Sequence, residues 1–269
     1  MVDKVNGGGP RFSAADVVEL RQYTLHPGTR DTLVRVFEDH FIEGQEQVGI
    51  RIGGIFLDDN DPDKFVWFRG FADLDQRLDA LQRFYFGPIW AKHRDVANGT
   101  MIDSDNVLLL RPTVPAHRTA EPAPAVDRRP GEERVHVSVY TYSADLELEA
   151  WLSTDLHHIL ERELDASVAT WRSHPGPNRF TRLPVREDNV FVWAASFPDR
   201  DARERALDRL YASPRWAAKV APIIASRIVA QGLDLRPTRR SQHPRPVTQL
   251  VRPDRSPTCG GTTVQPDRS

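Results

Sequence analysis

The chain has 269 residues, 39% of them hydrophobic, which is room for one large domain or two ordinary ones with packed cores. Its net charge of -2 excludes a global electrostatic case for nucleic acid or an acidic membrane. A lone cysteine, Cys259, excludes an intrachain disulfide. With a polar Met1–Pro10 and no apolar run near the roughly 18 residues of a membrane span, the expectation is a soluble cytoplasmic protein.

Residues 1–16 are expected to be disordered. Val17 to Leu25 then reads as a strand stopped by His26-Pro27-Gly28. A helix follows, with Thr29 or Asp31 as cap, and Leu33, Val36, Phe37, His40 and Phe41 fall on its apolar face. Ile50 to Leu57 is a short strand, Asp58 to Pro62 a turn, and Lys64 to Phe71 an aromatic-rich strand. Asp73 opens a second helical region, and Asp105 to Arg111 closes the half as a strand. The segment 113–133 has the Pro, Ala and charge content of a linker. Within 134–237 the order repeats: strands near Val135–Tyr142, Ala169–Leu183 (interrupted by His174-Pro175-Gly176-Pro177), Asn189–Phe197 and Gly232–Arg236, helices near Leu146–Leu164 and Asp201–Val229. The tail 238–269 lacks the apolar residues to offset ordering entropy and is expected to be disordered.

The repeat is explicit. Ala80 to Ala91 returns as Ala206 to Ala217, 126 positions later, and Phe65-Val66-Trp67 returns as Phe191-Val192-Trp193 at the same step. Each half reads β-α-β-β-α-β, the ferredoxin-like unit, whose open sheet face needs a cover. The fold class expected is therefore α+β, two tandem ferredoxin-like domains (17–112 and 134–237) pairing as an α/β barrel. Closure within one chain and closure between two chains, as in a homodimer, both satisfy the pattern.

Glu19-Leu20-Arg21-Gln22-Tyr23-Thr24-Leu25-His26-Pro27-Gly28 resembles the opening motif of NIPSNAP-family domains, and the Trp67 strand and Pro88-Ile89-Trp90 fit that family too. The likeness is good over Val17 to Pro112. It is weaker in the second half, where Val137-Ser138-Val139-Tyr140-Thr141 lacks the Glu-Leu-Arg. The resemblance implies membership of the dimeric α/β-barrel superfamily. Relatives there include cofactor-free monooxygenases, isomerases and cyclases of aromatic and polyketide molecules, and haem enzymes; it implies little about chemistry.

Alternation puts Val18, Leu20 and Gln22 on one face of the first strand and Glu19, Arg21 and Tyr23 on the other. The apolar face is expected to meet the helices and the polar triplet to point into the barrel. Glu19 and Arg21 can pair with each other or with Arg69, either as a register-fixing ion pair or as part of a ligand site. His40 is either a hydrogen-bonded core histidine or a general base. Trp67, Tyr85 and Trp90, with Tyr211 and Trp216 at matched positions, are either core or pocket wall. His157 and Glu161 have permissible ligand spacing but no third partner, and no nucleotide-binding or nucleophile-elbow motif is present, so neither metal nor cofactor is expected.

Two functions fit. One is a small-molecule-binding protein with cofactor-free chemistry: His40 as base, Arg21 and Tyr23 steadying an oxyanion, and Glu19, Trp67, Arg69, Tyr85 and Trp90 binding an apolar or aromatic substrate. The other is a non-catalytic scaffold.

Overall fold

The computed structural model describes residues 16–113, 132–166 and 168–241. The expectations for the N-terminus, the linker and most of the tail lie outside those residues.

The first half runs β1 (Val17–Leu25), α1 (Arg30–Val36), a π-helical turn (Phe37–Phe41), α2 (Ile42–Glu46), β2 (Arg51–Asp58), β3 (Lys64–Phe71), α3 (Leu74–Tyr85), α4 (Pro88–Asn98) and β4 (Met101–Pro112). The second runs β5 (Arg134–Tyr142), α5 (Leu146–Trp151), a π-helical turn (Leu152–Leu156), α6 (His157–Leu164), β6 (Val168–Ser173), β7 (Asn189–Phe197), α7 (Arg200–Ala212), α8 (Pro214–Lys219), α9 (Ala221–Arg227) and β8 (Ile228–Pro237). The repeat extends to the helix caps. Asp73 accepts the Gln76 N–H at 2.8 Å, and Asp199, its counterpart, accepts the Ala202 N–H at 2.7 Å.

The eight strands close one antiparallel barrel in the order β1-β3-β2-β8-β5-β7-β6-β4. Closure is therefore within one chain. Two short seams join the halves. Phe56, Leu57 and Asp58 of β2 pair with Pro237, Arg236 and Leu235 of β8, and Leu110, Arg111 and Pro112 of β4 pair with Ser173, Arg172 and Trp171 of β6. The lumen is a single apolar cluster drawn from both halves, with Val18, Leu20, Val66 and Phe68 meeting Val137, Val139, Val192 and Leu233. Helix-covered cores flank it on the two outer faces.

This inverts the expected facing of β1. Val18 and Leu20 fill the lumen, whereas Tyr23 belongs to the helix-side core and Glu19 is held by Arg77 of α3. The physical reason is partnership. The sheets meeting across the lumen offer mostly apolar side chains and the neutral Gln22–Gln231 amide pair, and a charge there would be left unpaired; the helix side supplies Arg77 and Gln45.

Two elements also differ from expectation in the second half. The strand expected to reach Leu183 ends at Ser173, and 174–188 is a long connection, three times the length of the 59–63 connection at the same place in the first half. It crosses to the first half. His174 N–H donates to the Leu109 carbonyl and Arg186 N–H to the Val107 carbonyl, both at 2.8 Å, and Phe180 is buried in the first helix-side core. The single helix expected over Asp201–Val229 is three, the first break falling between Ala212 and Pro214 and the second at Val220. Residues 238–241, the start of the expected tail, pack on the first half. Thr238 N–H donates to the Ile55 carbonyl at 2.9 Å, and the Arg240 backbone N–H to buried Glu38 at 2.7 Å.

Candidate functional site

One carboxylate organises the space between the first sheet and its helices. Glu19 Oε2 accepts Arg21 Nη1 and Arg69 Nε, each at 2.8 Å, and Oε1 accepts Arg77 Nε at 2.6 Å. Glu19 and Arg69 are wholly buried, and the Arg21 and Arg77 side chains are 2% and 1% exposed. The spacing explains how β1 does this: residues two apart on a strand share a face, so Glu19, Arg21 and Tyr23 form a row. Arg69 sits directly opposite Glu19 on β3. Arg21 Nε donates to the Tyr23 hydroxyl at 2.8 Å, and Arg69 Nη1 donates to Gln45 Oε1 at 3.2 Å and to the Tyr85 hydroxyl at 3.4 Å. The Arg69 guanidinium lies over the Trp67 ring at 5.1 Å.

Burial by itself would raise the Glu19 pKa. The Arg69, Arg77 and Arg21 guanidiniums outweigh it and hold the carboxyl far below the usual carboxylate range. Burial pushes the Tyr23 phenol up against the pull of Arg21, so at neutral pH Tyr23 is an un-ionised donor. Its oxygen accepts the hydrogen bond from Arg21 Nε, which leaves its own proton to donate.

Above this floor opens a cavity of about 310 Å³. Arg21 and Tyr23 form its polar end; Tyr85, Trp90, Met101 and Leu183 form its apolar walls; Arg94, Asp95, Asn98, Ser104 and Arg182 surround them. Tyr85 and Trp90 meet edge to face at 4.8 Å. Leu183 and Arg182 come from the 174–188 connection, so the second half completes a cavity built on the first. The same connection carries Asn178, whose Oδ1 accepts Arg77 Nη1 at 2.9 Å.

Of the residues singled out in the sequence, Arg21, Tyr23, Tyr85 and Trp90 line this cavity together. Glu19, Arg69 and Trp67 lie behind its floor, not among the lining residues. His40 is elsewhere. It is exposed, stacks on His93 at 3.7 Å, and lines a separate groove with Asp39, Glu43 and Lys92. Its expected place on the apolar face fails because of the π-helical turn. The wider turn shifts the helical phase, carrying Phe41 and Ile42 inward and leaving His40 outside. The base assigned to His40 is therefore not at the Arg21–Tyr23 end. Sequence reasoning missed Arg77, the third guanidinium, and the contribution of 174–188. The Pro- and Gly-rich break His174-Pro175-Gly176-Pro177 was the available signal of a long connection.

At the matched place in the second half, His136 Nδ1 lies 2.8 Å from Asp234 Oδ1, and His136 Nε2 lies 3.0 Å from Ser138 Oγ. Arg203, the counterpart of Arg77, ion-pairs with the same Asp234 oxygen at 2.9 Å. Asn60 of the first half donates to its other oxygen at 3.0 Å. Burial would raise the Asp234 pKa, but the His136 hydrogen bond and charge, with Asn60 and Arg203, bring it down to about 2. Ala195 replaces Arg69. Among the described residues no group of three or more His, Cys, Asp or Glu is placed to hold a metal ion, and no helix is long and apolar enough to cross a membrane.

Residues 18–116 match the NIPSNAP family model. The matched segment runs from the second residue of β1 through β4 and includes every first-half residue of the cavity. Curated proteins gave no match. Among solved structures, a candidate monooxygenase from Lactobacillus acidophilus NCFM is similar at 11% identity, covering 84% of this chain and 98% of its own, with a TM-score of 0.51. A candidate monooxygenase from Fusobacterium nucleatum subsp. nucleatum is similar at 10% identity over 83% of this chain and 93% of its own, with a TM-score of 0.54. An anthrone oxidase-like protein is similar at 13% identity over 84% of this chain and 92% of its own, also at 0.54. These likenesses extend across both halves and establish the barrel fold.

Proposed function

We propose that the chain is a small-molecule-binding protein of NIPSNAP type whose ligand sits in the Arg21–Tyr23 cavity. On this reading the two halves are tandem ferredoxin-like units, and the second takes the place that a partner subunit fills in a dimeric barrel. The observation that carries it is the pairing of a charged donor with an un-ionised phenol, 2.8 Å apart, in a cavity that also presents the aromatic and aliphatic surfaces of Tyr85, Trp90, Met101 and Leu183. A guanidinium and a neutral phenol side by side suit an oxygen that gains negative charge, such as a carbonyl becoming an enolate. The volume of about 310 Å³ is at the small end of ligand sites and suits one or two fused rings.

The chemistry this supports is cofactor-independent isomerisation, cyclisation or oxygenation of an aromatic or polyketide-like molecule. Arg21 and Tyr23 stabilise the oxyanion, and Trp90, Tyr85 and Met101 hold the ring. The names of the solved structures of like fold, monooxygenase and anthrone oxidase-like, lean the same way. Asp95 is the one carboxylate among the described lining residues and takes over the candidacy for base from His40. On a substrate found by screening, Tyr23→Phe and Arg21→Gln are expected to lower kcat by about 100-fold or more, as for lost oxyanion donors. Unchanged turnover in folded variants of both would refute the role.

A further inference from the structure

We propose that the ligand of this cavity is an anion, a flat one- or two-ring molecule carrying a carboxylate, phenolate or enolate. This rests on the reading of the cavity as the ligand site and names the charge of what fills it. The first observation is an imbalance. Arg21, Arg69 and Arg77 share one carboxylate, Glu19, and none of the three side chains is more than 2% exposed. The other groups they reach, Tyr23, Gln45, Tyr85 and Asn178, are all neutral hydrogen-bond partners. Buried charges are tolerated when paired, and here guanidinium charge exceeds carboxylate charge. Arg77 Nη2 is buried with no hydrogen-bond partner at all.

The second observation is where that excess opens. Of the three guanidiniums, Arg21 is the one that lines the cavity, and two further arginines, Arg94 and Arg182, line it too. Asp95 is the opposing acid; it lies 3.4 Å from Arg94, and its side chain is 89% exposed. Arg182 lies over the Phe86 ring at 5.3 Å and, among the described residues, forms no ion pair with a carboxylate. Positive charge therefore surrounds a cavity whose walls are aromatic, and low-dielectric walls strengthen that field. A neutral aromatic would satisfy the walls and leave the charge as it is. An aromatic anion answers both. Burial keeps the Tyr23 phenol un-ionised, so it hydrogen-bonds to the anion and does not compete with it.

The test is isothermal titration calorimetry of the full chain with 2-naphthoate and with 2-naphthamide, which share ring size and differ in charge. The naphthoate is expected to bind at least tenfold more tightly. In the doubly substituted Arg94→Ala, Arg182→Ala protein, which alters only mouth residues, that preference is expected to shrink at least threefold. In Met101→Trp, which fills the cavity, binding of both probes is expected to vanish. Equal binding of the two probes, abolished by Met101→Trp, overturns the anionic ligand and leaves the cavity reading standing. A naphthoate preference untouched by all these variants places the anion elsewhere and overturns the proposal. Failure of both probes to bind overturns the proposal together with the reading on which it rests.

Discussion

The two helix–sheet clusters occupy equivalent places and differ in charge. In the first, three guanidiniums converge on Glu19; in the second, Arg203 and His136 converge on Asp234. Arg77 and Arg203 are the retained element, 126 positions apart and both buried. What changed lies around them: His136 for Glu19, Ser138 for Arg21, Ala195 for Arg69. The first cluster carries surplus positive charge and a cavity at its edge. The second is close to balanced and draws Asn60 across from the first half as a further donor. On the proposed reading, one copy of the repeat holds the binding chemistry, while the other closes the barrel and contributes 174–188 as a wall. A repeated fold need not repeat a charge arrangement: substitutions at three positions separate the two clusters.

The sharpest way to break this comparison is Glu19→Gln. It strands three buried guanidiniums, and a loss of about 3–5 kcal/mol is expected in urea or guanidinium unfolding. The loss is pH-dependent. The folded Glu19 carboxyl lies below its ordinary value of 4.5, so its contribution is whole above about that pH and is lost as pH falls toward the folded value. The stability gap between the parent and Glu19→Gln should stay constant from neutral pH down to about pH 5 and close in acid. A gap that widened in acid would contradict the ion-pair origin.

Arg21→Leu should cost less, about 1–3 kcal/mol, because Glu19 keeps Arg69 and Arg77. Adding Glu19→Gln to it should not restore stability. An isolated Glu19–Arg21 pair would behave oppositely, with the double variant recovering much of the loss. His136→Ala, the second-half counterpart of a Glu19 change, should cost only about 1–2 kcal/mol, because Asp234 and Arg203 still pair. A loss equal to that of Glu19→Gln would erase the distinction between the clusters. The smallest effect is expected from Arg240→Ala, which severs a partly exposed contact to Glu43 and should cost at most about 1 kcal/mol.

Much of the fold was legible because the signals were periodic. The 126-residue repeat, the strand alternation of β1 and β5 and the turn chemistry at His26-Pro27-Gly28 all depend on local spacing. The convergence of Glu19 with Arg21 and Arg69 was legible for the same reason. The direction in which that face points was not, because it depends on what covers it. An apolar row next to a polar row suits either side of a sheet until the partners are known, and nothing in the spacing of Arg77 along α3 marks it as a partner of Glu19. His40 was misplaced by one π-helical turn, a local change of period that no regular helical template registers. The cavity wall from 174–188 depended on a tertiary crossing between halves, which leaves no trace in the spacing of either half.

Native mass spectrometry of the full chain with 2-naphthoate tests the central claim, that only the first cluster is a binding site. A single adduct per chain is expected for the parent and for Ser138→Ala, and none for Met101→Trp. Two adducts per chain, or one adduct that survives Met101→Trp and disappears in Ser138→Ala, would contradict it.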